Sequence, residues 1–310
     1  KLVLLRRIDG HALLVNDLVL KKAAINSETK VSGGTILIEN NKPTGLLIDK
    51  AMELATSILP SNDSKVITNA LINAEKKAFE NGLTTVDDAG LNKNIIQIID
   101  SLHGTGELKI RDYAMVSNTN QNLDYFLNEG IVEKERLTVR SVKAYLDGAL
   151  GSRGALLKEP YSDDKKNKGI SITSKENLFE LADKLSSKGF QLNTHAIGDK
   201  ANEVVLDVYN YVLKDIEDPR WRVEHAQVVD EFDMQKFNSK IIPSVQPTHA
   251  TSDMNWADER LGDKRLKSAY AYKNLLDWSG KIALGTDFPV EKVNPLNTFY
   301  SAVARKDLKG

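Results

Sequence analysis

The sequence predicts an α/β protein: a TIM-like (β/α)8 barrel lacking its first strand, preceded by an irregular N-terminal segment that contains a β-hairpin. Three observations predict it. From about residue 65 a short β-rich run is repeatedly followed by an amphipathic stretch, the rhythm of βα units on a parallel sheet. Seven such strands can be counted, with no shift in composition between them. No GxGxxG or GxxxxGKS/T follows any of them, so an open nucleotide-binding sheet has little support, and the region matches the barrel length of about 250 residues.

Taken in order, "GGTILIENNKPTGLLIDKAM" predicts the hairpin, with Ile and Leu alternating on both sides of a polar NNKP turn. Helix "NALINAEKKAFENG" stops at Gly82 and leads into strand "LTTVDDAG"; "NIIQIIDSLHGTG" leads into "LKIRDYAMV", and "NQNLDYFLNEG" into "TVRSVKAYLDGA". The pairs "SKENLFELADKLSSKG" with "FQLNTHAIG", "ANEVVLDVYNYVLKDI" with "WRVEHAQ", and "EFDMQKFNSK" with "IIPSVQP" follow, and "RLKSAYAYKNLLDWSG" with "KIALGTDFP" closes the series. Several helices end at a glycine just past the periodic run, the usual C-terminal signal. The division is 1–64 as an N-terminal segment or lid and 65–310 as an incomplete barrel domain. The remaining barrel strand is expected in "KLVLLRRID" or upstream of residue 1.

Composition narrows the partners. With 42 basic and 43 acidic residues there is no electrostatic footprint for nucleic acid or an anionic membrane, which leaves a small-molecule substrate; a homodimer is compatible with this. The absence of cysteine excludes disulfides and thiolate metal sites, so His, Asp, Glu and Lys are the available ligands. No apolar run reaches the roughly 18 to 20 residues that span a bilayer, and "KLVLLRRIDG" lacks the apolar middle of a signal peptide. The chain begins without methionine in a strand-like run, so a preceding segment is expected, and the compartment stays open between cytoplasm and export.

A parallel barrel collects its active site at the C-terminal ends of its strands. Lys143 in "VKAYLDG", His195 in "NTHAIG", His225 in "VEHAQ" and Asp287 in "ALGTDFP" are metal-competent groups at that end of four strands. Imidazole and carboxylate donors on a rigid frame suit a divalent ion that acidifies water, and Asp287 is placed to move the proton. Each also has a plain reading: a strand-end histidine is often structural, Asp before Phe-Pro often only forms a turn, and Lys143 could snorkel. Occurring together at equivalent positions, they favour the ligand reading.

Three further stretches carry chemistry. "YLDGALGSRGALLKEPYSDD" is a long glycine-rich loop, where Asp147 and Arg153 are substrate-binding candidates and Arg153 either clamps a carboxylate or carbonyl or closes the loop. "QPTHATSDMNWADERLG" places His249, with Trp256 further on, to orient or polarise a substrate or to serve the fold. "RRIDGHALLVN" holds Asp9 and His11 either over the barrel mouth or as a capped helix start, whereas His103 in a helix C-terminal turn is given no function.

The chain resembles the amidohydrolase superfamily, and closely its amidohydrolase family 3 branch, the YtcJ-like group that includes N-substituted formamide deformylases. The resemblance runs from "RRIDGHALLVN" through "KPTGLLIDKAM", "VKAYLDGALGSRGALLKEPYSD", "NTHAIGDKANEVVLD", "RVEHAQ" and "SVQPTHATSDMNWADERLG" to "LGTDFPVEKVNPL", nearly the whole chain. It implies a metal-dependent hydrolase of non-peptide C–N bonds, amide or formamide-like, using Zn2+ or another divalent metal, one or two ions in the full-length protein. His195 and His225 match the histidines after the fifth and sixth strands, Asp287 the aspartate after the eighth, and Lys143 the fourth-strand lysine that some members carboxylate to bridge two metals.

Two departures are large. The family's first strand ends in an HxH metal pair, and no HxH occurs in this chain; the C-terminal region that continues past "LGTDFP" in full-length members is also absent. A smaller one is Asp87 in "TTVDDAG", where relatives often have His. The 310 residues therefore read as the interior of a longer protein, expected to be metal-poor and inactive by itself. The competing readings are a non-catalytic binding or regulatory barrel and, more weakly, a metal-independent enzyme using Asp287 and His249 as an acid/base pair.

Overall fold

The computed structural model of the protein describes residues 1–60 and 63–307. Strands β1 (Leu4–Arg6), β2 (Ala12–Val15), β3 (Gly34–Glu39) and β4 (Lys42–Asp49) form an antiparallel sheet in the order β1-β2-β4-β3. The expected hairpin is β3–β4, turned at Asn40 and Asn41, whose φ angles of 48° and 60° lie in the left-handed region that Asn tolerates and a tight hairpin requires. Lys42 and Pro43, expected in the turn, are already paired in β4.

Two expectations for this segment are corrected. "HALLVN" is not a helix start: Leu13 and Val15 are buried while Leu14 is 47% exposed, the two-residue period of a strand. The helix begins after it, at Asp17–Lys22, where the Asn16 side chain caps the Val19 N–H. Nor does "KLVLLRRID" supply a barrel strand, because β1 pairs antiparallel with β2. Leu13, Val15, Val19 and Leu47 give this sheet a small core of its own.

The second sheet contains β5 (Thr85–Leu91), β6 (Arg111–Ser117), β7 (Val132–Glu133), β8 (Leu137–Tyr145), β9 (Gln191–Ala196), β10 (Trp221–His225), β11 (Ile241–Val245) and β12 (Ala283–Leu284). Its order is β12-β11-β10-β9-β8-β6-β5, all parallel, with β7 an antiparallel addition beside β8. These seven parallel strands coincide with the seven read from the βα rhythm. The sheet is curled into a half-barrel: Arg222 on β10 forms an ion pair with Asp87 on β5, although three strands lie between them in the sheet. Among the described residues β5 pairs only with β6 and β12 only with β11, so both ends are edges.

Helices pack on the outer face. Lys93–Thr105, Lys175–Ser186 and Asp199–Val212 bury Ile99, Leu178, Leu185, Val205 and Leu206 against Leu192, Val223 and Ile241 of the strands. Each such aliphatic side chain contributes about 1.5–3 kcal/mol on burial. Gly106 after the first of these helices has φ 75°, the left-handed cap its sequence predicts. The stretch "RLKSAYAYKNLLDWSG" is not one helix but parts of two, Ala257–Leu266 and Tyr272–Ser279. The chain turns at Tyr270 (φ 52°), whose N–H donates to Gln227 O and whose hydroxyl donates to Asp253. No helix among the described residues is long and apolar enough to cross a membrane.

Candidate metal centre

Four of the five histidines converge at the C-terminal ends of the parallel strands. His195 is the penultimate residue of β9 and His225 the last of β10, and their ring centroids are 4.6 Å apart. His249 lies in the helix Pro247–Asp253 that starts directly after β11, 6.2 Å from the His225 ring and nearly parallel to it. On the other side His11, from the loop before β2, lies 5.1 Å from His195. Local backbone strain accompanies the arrangement: His225 has φ 73°, Ala226 φ 40° and Asp287 φ 52°, conformations that persist only where the surroundings impose them.

His225, His249 and Asp287 each offer one ligand atom, and these atoms lie within 4.8 Å of one another, the one such group among the described residues. Burial pulls His225 below the usual imidazole range, opposed by the Asp287 carboxylate; it pulls His249 down to about 4, with His225 acting in the same direction. Both rings therefore present lone pairs at neutral pH. Gln246, the residue directly after β11, fixes one ring, with its Oε1 2.7 Å from His225 Nδ1; the amide oxygen accepts from Nδ1–H and leaves Nε2 as the lone-pair donor. His249 Nε2 is buried without a hydrogen-bond partner. A borderline divalent ion fits this set of two neutral imidazoles and one carboxylate.

The sequence-predicted residues are placed as follows. His225 and Asp287 come together, and His249, read as a substrate-orienting residue, joins them. His195 sits beside His225 but turns Nε2 to Gly148 O (3.4 Å) and Asp147 Oδ1 (3.6 Å); burial, then His225, His11 and Lys143, keep its ring neutral. Lys143 is buried in β8 with Nζ 4.1 Å from the Tyr145 ring, and Tyr145 in turn lies against His195. Asp147 is buried inside the loop, accepting from the N–H groups of Leu156, Ile197 and Gly198 at 2.8–3.0 Å, while burial pushes its carboxyl up to about 7 against those donors. The Arg153 guanidinium is committed to Asp163, which also pairs with Arg260, an arrangement that closes the glycine-rich loop.

Sequence reading missed Gln246, Tyr145 and Asp49 as neighbours of the site. Gln246 alone carried a local signal, as the polar residue between a strand and Pro247. Beneath the mouth the half-barrel interior is polar: Arg222 joins Asp87 to the buried Glu224, its Nε 2.6 Å from Glu224 Oε1.

A family model described as "Amidohydrolase family" matches residues 1–310. The chain is 36% identical over 321 aligned residues to Protein LONG AFTER FAR-RED 3 of Arabidopsis thaliana, covering 98% of this chain and 55% of that protein. It is 34% identical to Putative amidohydrolase YtcJ of Bacillus subtilis, over 98% of this chain and 58% of that protein, and 24% identical to the N-substituted formamide deformylase of Arthrobacter pascens, over 97% and 58%. It thus spans somewhat over half the length of these relatives. Among solved structures, an uncharacterized metal-dependent hydrolase from Pyrococcus horikoshii superposes with a TM-score of 0.81 at 29% identity, over 98% of this chain and 60% of that one.

Proposed function

Because the chain belongs to the amidohydrolase family, we propose that it carries part of a metal-dependent hydrolase site for a non-peptide C–N bond, amide or formamide-like. The convergence of His225, His249 and Asp287, with His249 Nε2 buried and unpartnered, is the observation that supports this reading most directly. These three residues would hold the ion, with His195 and Lys143 adjacent and Lys143 a candidate for carboxylation. When bound, a divalent ion such as zinc supplies Lewis-acid polarisation of a carbonyl and acidifies water.

The chain's own residues do the rest. Asp287 is exposed at the mouth, where its carboxylate takes a proton from water and returns it to the nitrogen as the C–N bond breaks. Gln246 keeps the His225 ring turned towards Asp287, and the strained backbone at both residues fixes the approach. Asp147 shapes the loop over His195. With three donors and no HxH pair, this chain by itself is expected to bind metal weakly and to be catalytically poor.

The test is zinc titration of the chain and of its His225→Ala and His249→Ala variants, followed by elemental mass spectrometry after dialysis. Weak binding that both substitutions abolish supports the reading. A stoichiometric site that survives dialysis would overturn the expected weakness, and no binding at all would favour the second reading, a non-catalytic regulatory barrel. One observation favours that alternative: a relative 25% identical over 240 residues is named Exoenzymes regulatory protein AepA, of Pectobacterium carotovorum.

A further inference from the structure

The metal reading leaves one histidine of the mouth without a task. His11 comes from the antiparallel sheet rather than the barrel, yet its ring lies 5.1 Å from that of His195. Its Nδ1 is 2.6 Å from Asp49 Oδ1, and the Asp49 side chain is only 1% exposed. The position of that carboxylate is built into the loop. A Cβ on Gly148 would lie 2.5 Å from Asp49 Oδ2, and one on Gly154 2.9 Å from it, so two glycines of the "DGALGSRG" run leave the slot that the carboxylate fills. Asp49 holds φ 51° to reach it, and the neighbouring Lys50 Nζ donates to Ile172 O at 2.8 Å, which ties the same turn to the barrel side.

A carboxylate can only accept, so the imidazole proton facing Asp49 is on Nδ1, which leaves Nε2 as the ring atom that can accept. An oriented acceptor beside the proposed metal centre is a selective feature: it pairs with an N–H and repels a group that has none to give.

We propose that His11, oriented by Asp49, is a substrate-binding residue whose Nε2 accepts a hydrogen bond from the N–H of a secondary amide, so that the site prefers such amides to their N-alkylated counterparts. The assignment rests on the hydrolase reading for its substrate class and on the His11–Asp49 geometry for its direction. His11 and Asp49 bring to the site an element that lies outside the barrel, and a merely structural tie between sheet and barrel would carry no such preference.

The experiment measures binding of 4-nitroformanilide and of N-methyl-4-nitroformanilide to the metal-free full chain by calorimetry, where nothing turns over. One hydrogen bond corresponds to a preference of roughly tenfold for the N–H compound. His11→Phe is expected to abolish the preference and His11→Gln, whose side-chain oxygen can accept, to keep part of it. Asp49→Gly, which suits φ 51° and leaves no carboxylate to hold the proton on Nδ1, is expected to weaken it with the fold retained. Equal affinity of the wild-type chain for both compounds, no measurable binding of either, or a preference unchanged in His11→Phe and Asp49→Gly would overturn the proposal. A preference lost in these variants, in a chain that takes up no zinc on titration, would sink the metal-dependent hydrolase reading and leave the His11 assignment standing.

Discussion

Alanine at position 148 tests how the antiparallel sheet is locked to the barrel mouth. The backbone of Gly148 is not left-handed, so the substitution costs space rather than φ. The new Cβ would lie 2.5 Å from Asp49 Oδ2 and 3.0 Å from Cγ, where 3.4–4 Å is ordinary contact. The carboxylate has no room to retreat, since Gly154 closes the same side and its other oxygen is held 2.6 Å from His11. The clash is relieved either by overpacking, at about 1–3 kcal/mol, or by giving up the charged hydrogen bond to His11, at about 1.5–3 kcal/mol, so Gly148→Ala is expected to cost about 1–3 kcal/mol. Asp49→Gly removes the obstructing group and suits φ 51°. In that background Gly148→Ala is expected to be neutral or slightly stabilising, a coupling of about 1–3 kcal/mol between the two sites. Urea unfolding of the four proteins, followed by fluorescence of the buried Trp221 and the partly buried Trp256, measures the cycle. Additivity within about 0.5 kcal/mol would refute the slot, and with it the idea that the glycines exist to admit Asp49.

Two further outcomes are expected, both read from urea unfolding across pH. Burial pushes the Glu224 carboxyl up, but Arg222 and then Lys143 more than offset it, so its folded value lies below the ordinary one and its stabilisation is lost as pH falls. Arg222→Met strands that carboxylate and is expected to cost about 3–5 kcal/mol at pH 8, with a deficit that shrinks towards pH 4; a deficit independent of pH would contradict this. Asp112 behaves oppositely: burial, then Asp88 and Asp87, push it up to about 8, and its Oδ1 has no hydrogen-bond partner. Its contribution is present below about pH 4 and lost as pH rises towards 8, so Asp112→Asn is expected to match the wild-type protein near pH 4 and exceed it by more than about 1 kcal/mol at pH 8; equal stability at both would refute it.

The parallel strands were legible because their signal is local. A β-rich run buried on both faces, followed by a helix with an apolar stripe, is written within some thirty residues, as in "FQLNTHAIG" and the helix Asp199–Val212 after it. The same logic located His195, His225 and Asp287, since a polar residue at the end of such a strand must face the barrel mouth. Reading failed where local patterns are ambiguous. "HALLVN" fits a helix start as well as a strand, and only pairing with β4 decided it. The stretch "RLKSAYAYKNLLDWSG" has helical periodicity throughout, yet the contacts of Tyr270 with Gln227 and Asp253 break it.

The sequence by itself thus determined the α/β class and the seven parallel strands, which follow from residue types and short-range periodicity, and the family, which follows from runs of motif in matching order. The tertiary structure alone decided which of those residues meet. It brought His249 to His225 and Asp287, turned His195 Nε2 towards the glycine-rich loop, and engaged Arg153 with Asp163. It also carried His11, on an antiparallel sheet far away in the chain, to the mouth of the half-barrel through the fit of Asp49 between two glycines. Such contacts depend on how separately folded layers dock, and docking is set by shape and by satisfying buried polar groups across the whole molecule, which no window of sequence contains.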